Sequence, residues 1–177
     1  MADQLSATDW LDLGLKTLAK SGFTALKAEP LAKAMGVSRG SFYWHFADIG
    51  AFHAALLRHW REIATEQIIA TLEASSNKGE RLSLLLQGVF AAKPALENAV
   101  RTWATLNPGA RTAVQAIDRR RLSYVEGLLR AQGLSSEIAR ARAQILYWAF
   151  LGFAQADKPV PPSARQSLLK ELLRIAR

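Results

Sequence analysis

Apolar residues recur every three to four positions along nearly the whole chain, which is the period of an amphipathic α-helix. In the first such stretch Trp10, Leu15 and Leu18 share one face. Ser6 and Asp9 are spaced as a capping box at its start. No stretch keeps the strict alternation of a half-buried β-strand. The pattern therefore predicts an all-α protein.

Glycine, proline and short polar runs divide this pattern into about nine helices. Gly22 follows the first helix, and glycine commonly ends a helix because it accepts a positive φ. The expected limits are, approximately, 6–21, 26–35, 38–46, 49–73, 80–92, 94–106, 110–132, 135–156 and 163–177. The fourth of these is expected to be one long helix.

Residues 27–46 contain two short helices joined by a turn, the arrangement of a helix-turn-helix motif. Gly36 supplies the residue that can take a positive φ at the turn. Ser38 stands where the next helix begins, and we expect its hydroxyl to accept a hydrogen bond from the amide of Gly40 or Ser41.

The second helix of this motif has a candidate DNA-binding face. Phe42 and Phe46 are four residues apart and are expected to face the core. At 100° per residue, Gly40 and Trp44 then point most nearly outward. With its flanks and first turn, the outward face consists of Arg39, Gly40, Ser41, Tyr43 and Trp44. Such a narrow face suits a major groove. The alternative is a packed helix whose aromatic residues all lie in the core.

These residues carry a resemblance to a known family. The run of residues 31–46, LAKAMGVSRGSFYWHF, and the preceding Gly22-Phe23-Thr24 resemble the DNA-binding domain of the TetR/AcrR transcriptional regulators. The resemblance covers about residues 4–64. It implies an all-α homodimer whose first three helices bind DNA and whose C-terminal helices form a ligand pocket and the dimer interface. The residues that it assigns to base edges are Arg39, Gly40, Ser41 and Trp44.

The same resemblance assigns Tyr43 and His45 to DNA phosphates, and we add Ser38 to these contacts. One position departs from the family pattern. The family usually has lysine at the start of the fourth helix, whereas this chain has Ile49 after the acidic Asp48. One phosphate contact fewer lowers the salt dependence of binding by about one unit. We therefore expect weaker non-specific DNA binding than is usual in the family, with Lys27 as a compensating phosphate contact.

The remaining two thirds of the chain also resemble the family's regulatory domain, which gives the domain limits 4–64 and 65–177. An apolar pocket for a hydrophobic or aromatic ligand is expected between helices four to seven. Its expected lining is Phe90, Trp103, Leu106, Ile117, Tyr124 and Trp148, with Arg101, Gln144 and Tyr147 as polar candidates. The alternative is that these residues form an ordinary core.

The last two helices predict a dimer interface. Each has a broad apolar stripe, and an apolar terminal helix needs a surface to cover it. The expected interface residues are Ile145, Ala149, Gly152, Leu168, Leu169 and Leu172. Two such helices from each subunit would form a four-helix interface, and a dimer suits a palindromic DNA site. The alternative is burial within one chain.

Composition and charge narrow the function classes. The net charge is +8, but residues 1–60 hold six basic and five acidic residues, so most of the excess lies C-terminal to the motif. There are no cysteines, which excludes disulfides and a cysteine nucleophile. The three histidines, His45, His53 and His59, do not share a helical face at metal-ligand spacing. We expect no metal, cofactor or enzymatic activity, no signal peptide and no membrane span.

The sequence thus predicts a cytoplasmic transcriptional regulator, a repressor that binds double-stranded DNA as a homodimer and is released by a small-molecule effector. A second interpretation stays open: a helix-turn-helix regulator that a protein partner controls, without a small ligand. Periodicity alone does not separate a filled core from a ligand cavity.

Overall fold

All regular structure in the described part of the chain is helical. The computed structural model describes residues 5–156 and 160–175; the expected domain start at residue 4 and the expected helix end at Arg177 lie outside it. The α-helices are α1 (Ala7–Ser21), α2 (Ala28–Ala34), α3 (Arg39–His45), α4 (Ile49–Arg61), α5 (Gln67–Glu73), α6 (Arg81–Ala91), α7 (Ala95–Leu106), α8 (Pro108–Ala131), α9 (Ser136–Ala154) and α10 (Pro162–Ile175). The all-α prediction is confirmed.

The long fourth helix is not uniform. Between α4 and α5 the chain forms a π turn at Glu62–Glu66. The three segments follow one another without a break, so the predicted extent of the helix is confirmed. The apolar pattern does not indicate the π turn. Counting the three segments as one helix gives, within the described residues, the nine helices that the sequence predicts.

Local signals set several helix ends as expected. Ser6 and Asp9 form the capping box of α1, in which the Asp9 amide donates to the Ser6 hydroxyl (3.2 Å) and the Ser6 amide donates to the Asp9 carboxylate (2.7 Å). The Ser6 hydroxyl also donates to the Asp9 carboxylate (2.6 Å), and this bond, followed by that of the Ser6 amide, lowers the pKa of Asp9. Gly22 ends the helix at φ 76°.

The chain forms two compact units. The first consists of the chain up to Ile63 together with Ala95–Gln115. Its core holds Trp10 of α1 edge-on to Phe42 of α3, with ring centroids 5.4 Å apart. Gly14 lets α1 approach α4 closely, since a Cβ there would lie 2.8 Å from Leu56.

Helix α7 belongs to this first unit although the sequence assigns it to the C-terminal domain. Trp103 stacks on Phe23 with ring centroids 4.8 Å apart, and it meets His53 of α4 edge-on at 5.4 Å. The expected division after residue 64 lies beside the break between Ile63 and Ala64. It does not anticipate the return of residues 95–115.

The second unit consists of Ala64–Pro94 and the described chain from Ala116 onward. Helices α6, α8, α9 and α10 enclose its core. The buried residues of that core are Leu82, Leu86, Phe90, Val125, Leu128, Leu129, Ala139, Ala143, Leu146 and Leu172. Within residues 5–156 and 160–175, no helix combines the length and the apolar character needed to cross a membrane.

Two arginines beyond the motif close helix ends, which accounts for part of the C-terminal positive charge. Arg81 donates to the carbonyl of Glu73 at the end of α5 (2.6 Å) and also pairs with its carboxylate. Arg111 donates to the carbonyls of Ala104 and Thr105 at the end of α7 (3.3 and 3.1 Å). A cation at a helix C-terminus satisfies free carbonyls and opposes the negative end of the helix dipole.

Candidate nucleic-acid interface

Helices α2 and α3 form a helix-turn-helix with a glycine turn. The Val37 amide donates to the Ala32 carbonyl (3.0 Å) and the Gly36 amide to the Lys33 carbonyl (3.1 Å). With Gly36 at φ 69°, these bonds make a Schellman motif that ends α2. Gly36 thus takes the positive φ that the sequence predicts for this turn.

One face of α3 anchors the helix in the first unit. Phe42 is fully buried, and its ring lies about equally close to Phe46 and to Phe52 of α4, at 5.3 and 5.2 Å between centroids. Phe46 also packs edge-on against Phe52, at 5.0 Å. Helix α3 is therefore held by aromatic contacts on its inner side, which leaves its outer side available.

The outer side of α3 carries the expected base-facing residues. Trp44 is 79% exposed, an extreme value for an indole in a folded unit, and Tyr43 is 48% exposed. Arg39 and Gly40 are also exposed, whereas Ser41 is half-buried. The Arg39 guanidinium lies over the Tyr43 ring, 5.9 Å from its centroid. This cation–π contact orients the arginine along the exposed face.

The expected phosphate residues border this face. Lys27 and Ser38 are exposed at the N-terminal ends of α2 and α3, while His45 is half-buried at the end of α3. The expected capping role of Ser38 is wrong: its hydroxyl makes no capping bond, and the Ser41 amide donates instead to the Ser38 carbonyl (3.0 Å). The tight first turn satisfies this amide through the backbone.

Asp48 caps the start of α4. Its carboxylate accepts a hydrogen bond from the Ala51 amide (2.7 Å). Ile49, which stands where the family usually has lysine, is half-buried. The helix end therefore carries a negative charge, and that charge opposes an approaching phosphate.

The six residues expected to line a pocket do not fall in one unit. Trp103 and Leu106 lie in the first unit, and the other four lie in the second. Leu106 is 77% exposed and Trp148 is 63% exposed. Phe90 is buried with its ring 5.0 Å from that of Phe153, Ile117 is fully buried, and Tyr124 is half-buried.

The polar candidates for the pocket have partners within their own units, apart from Gln144, which is half-buried. Arg101 pairs with the buried Glu97 one turn earlier on α7 (2.8 Å). The Tyr147 hydroxyl donates to Asp118 (2.5 Å). Tyr124 donates to Glu73 (2.8 Å), and burial, followed by that carboxylate, raises the pKa of Tyr124 to about 12.

The sequence reasoning missed the polar groups that lie around Arg121. This arginine donates to the buried Thr65 hydroxyl (3.0 Å) and to the Ala64 carbonyl (3.1 Å), both in the π turn. The two partners are more than 50 positions away along the chain. No local pattern connects them. The one signal in the sequence is that Thr65, a polar residue, lies on the inner side of a helix and therefore needs a hydrogen-bond partner.

The expected dimer residues on α9 are only partly uncovered, because Ala149 packs against the core of the second unit. Ile145 is exposed, Ala149 is half-buried, and a Cβ added at Gly152 would meet no atom within 4 Å. On α10, Leu168 is exposed and Leu169 is half-buried.

Leu172 on α10 differs from the other expected interface residues. It is buried among the core residues of the second unit. The expectation that Leu172 lies in the dimer interface is wrong, because this residue lies on the side of α10 that packs against α6.

Comparisons with known proteins indicate the class of protein that the chain is similar to. Residues 11–56 match the family model described as bacterial regulatory proteins, tetR family. A search of curated proteins finds no match. Among solved structures, the chain is similar to reduced NemR from E. coli, with 21% identity, a TM-score of 0.76 and 96% of each chain covered.

Two further similar structures contain bound molecules. FadR from Bacillus subtilis in complex with stearoyl-CoA has 16% identity and a TM-score of 0.67, with 97% of each chain covered. AibR in complex with isovaleryl coenzyme A and operator DNA has 14% identity and a TM-score of 0.69, with 94% of this chain and 95% of that chain covered. At these identities the structures establish the fold.

The fold and the exposed face of α3 define an all-α helix-turn-helix DNA-binding protein. Residues 11–56 carry the DNA-binding domain that the tetR family model describes, and the fold of the chain is shared with solved structures of TetR/AcrR regulators. The resemblance noted in the sequence is confirmed.

Proposed function

We propose that the protein is a repressor that binds a palindromic operator as a homodimer and leaves it when a small apolar or aromatic effector binds. The observation that carries the DNA-binding part is the recognition helix. Phe42 fixes α3 from within, while Trp44, two positions away, is 79% exposed on the opposite side. Exposing an indole costs free energy unless a partner covers it, and a groove of DNA is such a partner.

The contacts divide into two groups. The proposed readers of base edges are Arg39, Gly40, Ser41 and Trp44. The proposed phosphate contacts are Lys27, Ser38, Tyr43 and His45. Phosphate contacts position the protein without reading sequence, whereas groove contacts specify it. The Ser38 hydroxyl supports this division, because it makes no bond within its own helix cap.

The apolar stripe of α9 and α10 supports the homodimer. Ile145 and Gly152 are exposed on α9 and Leu168 is exposed on α10, whereas Ala149 and Leu169 are half-buried against the core of the second unit. We exclude Leu172 from the interface because it serves the core of the second unit. A homodimer would supply the two recognition helices, about 34 Å apart, that successive major grooves require.

The effector proposal has weaker but specific support. The indole N–H of Trp103 is buried and has no hydrogen-bond partner among the described residues, and such donors are uncommon in native proteins. An acceptor on a ligand would satisfy it. FadR and AibR are bound to acyl-coenzyme A molecules. We extend from them only the general idea of a partly apolar effector. The expected limits 4–64 and 65–177 are kept for the DNA-binding and regulatory domains, except that Ala95–Gln115 is assigned to the DNA-binding unit.

Regulation is proposed to work by a shift between two forms. The effector binds the form whose recognition helices are wrongly spaced, and DNA binds the other. Such coupling is reciprocal and commonly amounts to about 1–3 kcal/mol. The alternative, control by a protein partner, predicts no response to small ligands. Titrating the protein with a library of apolar ligands while following tryptophan emission separates the two, since a flat response across the library counts against an effector.

The experiment that tests the function is selection of bound duplexes from a random DNA library at about 150 mM salt. We expect an enriched palindrome whose half-sites are about 10 base pairs apart, centre to centre. An enriched site without two-fold symmetry would contradict the homodimer. No enrichment at all would contradict specific DNA binding by the protein alone. The genomic matches of the palindrome would identify the regulated genes. A protein that binds these genes is proposed to act in the cytoplasm.

A further inference from the structure

A series of four side chains runs from the core of the first unit to the exposed face of α3. Trp10 meets the fully buried Phe42 edge-on. Phe42 in turn meets Tyr43 edge-on, with ring centroids 5.3 Å apart. The guanidinium carbon of Arg39 then lies over the Tyr43 ring, 5.9 Å from its centroid. The series therefore connects a buried indole to an exposed cation.

The Tyr43 ring is the group that attracts the Arg39 guanidinium. The two residues are four positions apart on α3, so their side chains lie one turn apart on the same side of the helix. A cation over an aromatic face is attracted by the negative charge of that face. The first turn of the helix supplies no such attraction, because the N-terminal end of a helix carries partial positive charge.

Phe42 restrains the Tyr43 ring in turn. Phe42 is fully buried, and its edge-on contact with Tyr43 limits the positions that the tyrosine ring can take. Tyr43 is exposed on its other sides, which leaves room for the arginine. An arginine that is already held on such a ring loses less conformational freedom when it binds a partner.

The chemistry of the guanidinium favours one base. Its planar group presents paired N–H donors that match two neighbouring acceptors. In the major groove guanine offers two acceptors, O6 and N7, whereas adenine combines an acceptor with a donor, cytosine offers a donor and thymine offers one acceptor. The N-terminal residues of a recognition helix are those that contact base edges. Guanine is therefore the base that suits Arg39.

We propose that Tyr43 is a positioning residue for Arg39, and that the positioned guanidinium reads one guanine in each half-site of the operator. The second part rests on the proposed function. It gives the ring and the hydroxyl of Tyr43 separate tasks. The ring contributes to sequence preference through Arg39, and the hydroxyl contributes to affinity for any duplex through a phosphate.

Nuclear magnetic resonance of the free protein tests the positioning. A ring current shifts the resonances of protons above an aromatic face, so the side-chain protons of Arg39 should be shifted upfield in the parent. Tyr43→Leu should return them to ordinary arginine values, whereas Tyr43→Phe keeps the ring and should leave them shifted. The indole resonance of Trp10 should stay as in the parent in both variants, which verifies the fold. Ordinary Arg39 values in the parent, or parent-like values in Tyr43→Leu, would overturn the positioning.

Binding to altered operators tests the base that is read. Each half-site position of the palindrome from the library selection is replaced in turn by the other bases, and fluorescence anisotropy measures the affinities. The parent should prefer guanine at one position by roughly tenfold. Arg39→Gln should lose this preference and keep those at the other positions. Lys33→Gln, which removes an exposed cation from α2, is the matched control and should keep them all.

The Tyr43 variants separate the ring from the hydroxyl. Tyr43→Leu should lower the guanine preference by about two- to fivefold, the amount expected for an exposed cation–π contact. Tyr43→Phe should keep the preference while it binds every duplex more weakly. The analogue 7-deazaguanine lacks the N7 acceptor and pairs normally. At the same position it should weaken binding by the parent and leave binding by Arg39→Gln unchanged.

Several outcomes would overturn the assignment. Uniformly weaker binding by Arg39→Gln, with every base preference retained, would mean that the arginine contacts a phosphate. Loss of a preference for another base would exclude guanine. Equal guanine preference in Tyr43→Leu and Tyr43→Phe would mean that the ring does not assist reading. If the parent selects no operator, the proposed function and the guanine assignment fail together, while the resonances of the free protein still decide whether Tyr43 positions Arg39.

Discussion

Phe42 and Trp44 stand two positions apart on α3 and have opposite surroundings. The first is fully buried between α1 and α4, and the second is the most exposed large apolar residue of the described chain. At the residue scale, this contrast separates the residue that anchors α3 from the residue that is proposed to contact DNA. Tyr43 lies between them in the sequence, and the Arg39 guanidinium lies over its ring.

Trp44 and Tyr43 should respond differently to substitution. Trp44→Ala should lower the preference for the operator over a scrambled duplex by about 1–3 kcal/mol, because a groove contact specifies sequence. Tyr43→Phe should weaken binding to both duplexes equally, by roughly fivefold, because it removes one phosphate hydrogen bond. Fluorescence anisotropy with the two duplexes measures both effects. An equal loss on both duplexes in the two variants would contradict the division into readers and phosphate contacts.

His53 is the residue whose protonation the first unit opposes. Its ring lies among Phe23, Phe52 and Trp103, and its Nε2 is 3.1 Å from the Leu26 carbonyl. Burial lowers the pKa of His53 below the ordinary value of 6.5, and the Leu26 carbonyl opposes this only in part. The unfolded chain therefore binds more protons than the folded one as the pH falls through about 6.5.

The free energy of unfolding should accordingly decrease as the pH falls from 7.5 to 5.5. In His53→Gln, whose amide can still donate to the Leu26 carbonyl, this decrease should be smaller. Urea unfolding of both proteins across the pH series measures the difference. Parallel curves for parent and variant would show that His53 does not carry the pH dependence.

At the scale of elements, the sequence predicts well what local chemistry decides. The capping box at Ser6 and the glycine ends at Gly22 and Gly36 involve neighbours within a turn, although the cap expected at Ser38 is wrong. The π turn was not predictable in this way, because its partner Arg121 is 56 positions from Thr65. Apolar periodicity also shows that α7 is buried on one side without showing that α1 is its partner.

The start of α4 offers a direct gain of function. Ile49→Lys should place a cation at the helix N-terminus, where the family usually has one, and should tighten binding to any duplex. The slope of log affinity against log salt should steepen by about one unit. Ile49→Gln is the matched control, since it adds length and polarity without charge. Equal slopes for the two variants between about 50 and 200 mM salt would contradict a phosphate contact at this position.

At the scale of the whole molecule, the expected pocket was the least predictable part. Its six residues divide between two compact units, and two of them are largely exposed. A helical wheel identifies an inner side but not the unit to which that side belongs. The positive charge is also distributed by structure, since Arg81 and Arg111 close helices.

The exposed side chain of Ile145 on α9 leads to a prediction for the oligomeric state. Ile145→Glu should convert a dimer into a monomer and abolish binding to the palindrome, while binding to a single half-site stays weak, because a buried unpaired charge is costly at an interface. Ile68→Glu on α5, another exposed isoleucine, is the control and should remain dimeric. Analytical ultracentrifugation measures the change in mass. A dimeric Ile145→Glu would place the interface elsewhere.

The return of α7 to the first unit determines how this protein can be cut and recombined. A fragment that stops near residue 64 would lack Trp103 and would leave Phe23 and His53 without the indole that covers them. The smallest stable DNA-reading module is therefore discontinuous and includes Ala95–Gln115. A hybrid regulator made by exchanging everything after a single crossover at residue 64 would receive a foreign α7 against its own α1. Two crossovers that keep this stretch with the N-terminal helices would preserve the native aromatic contacts.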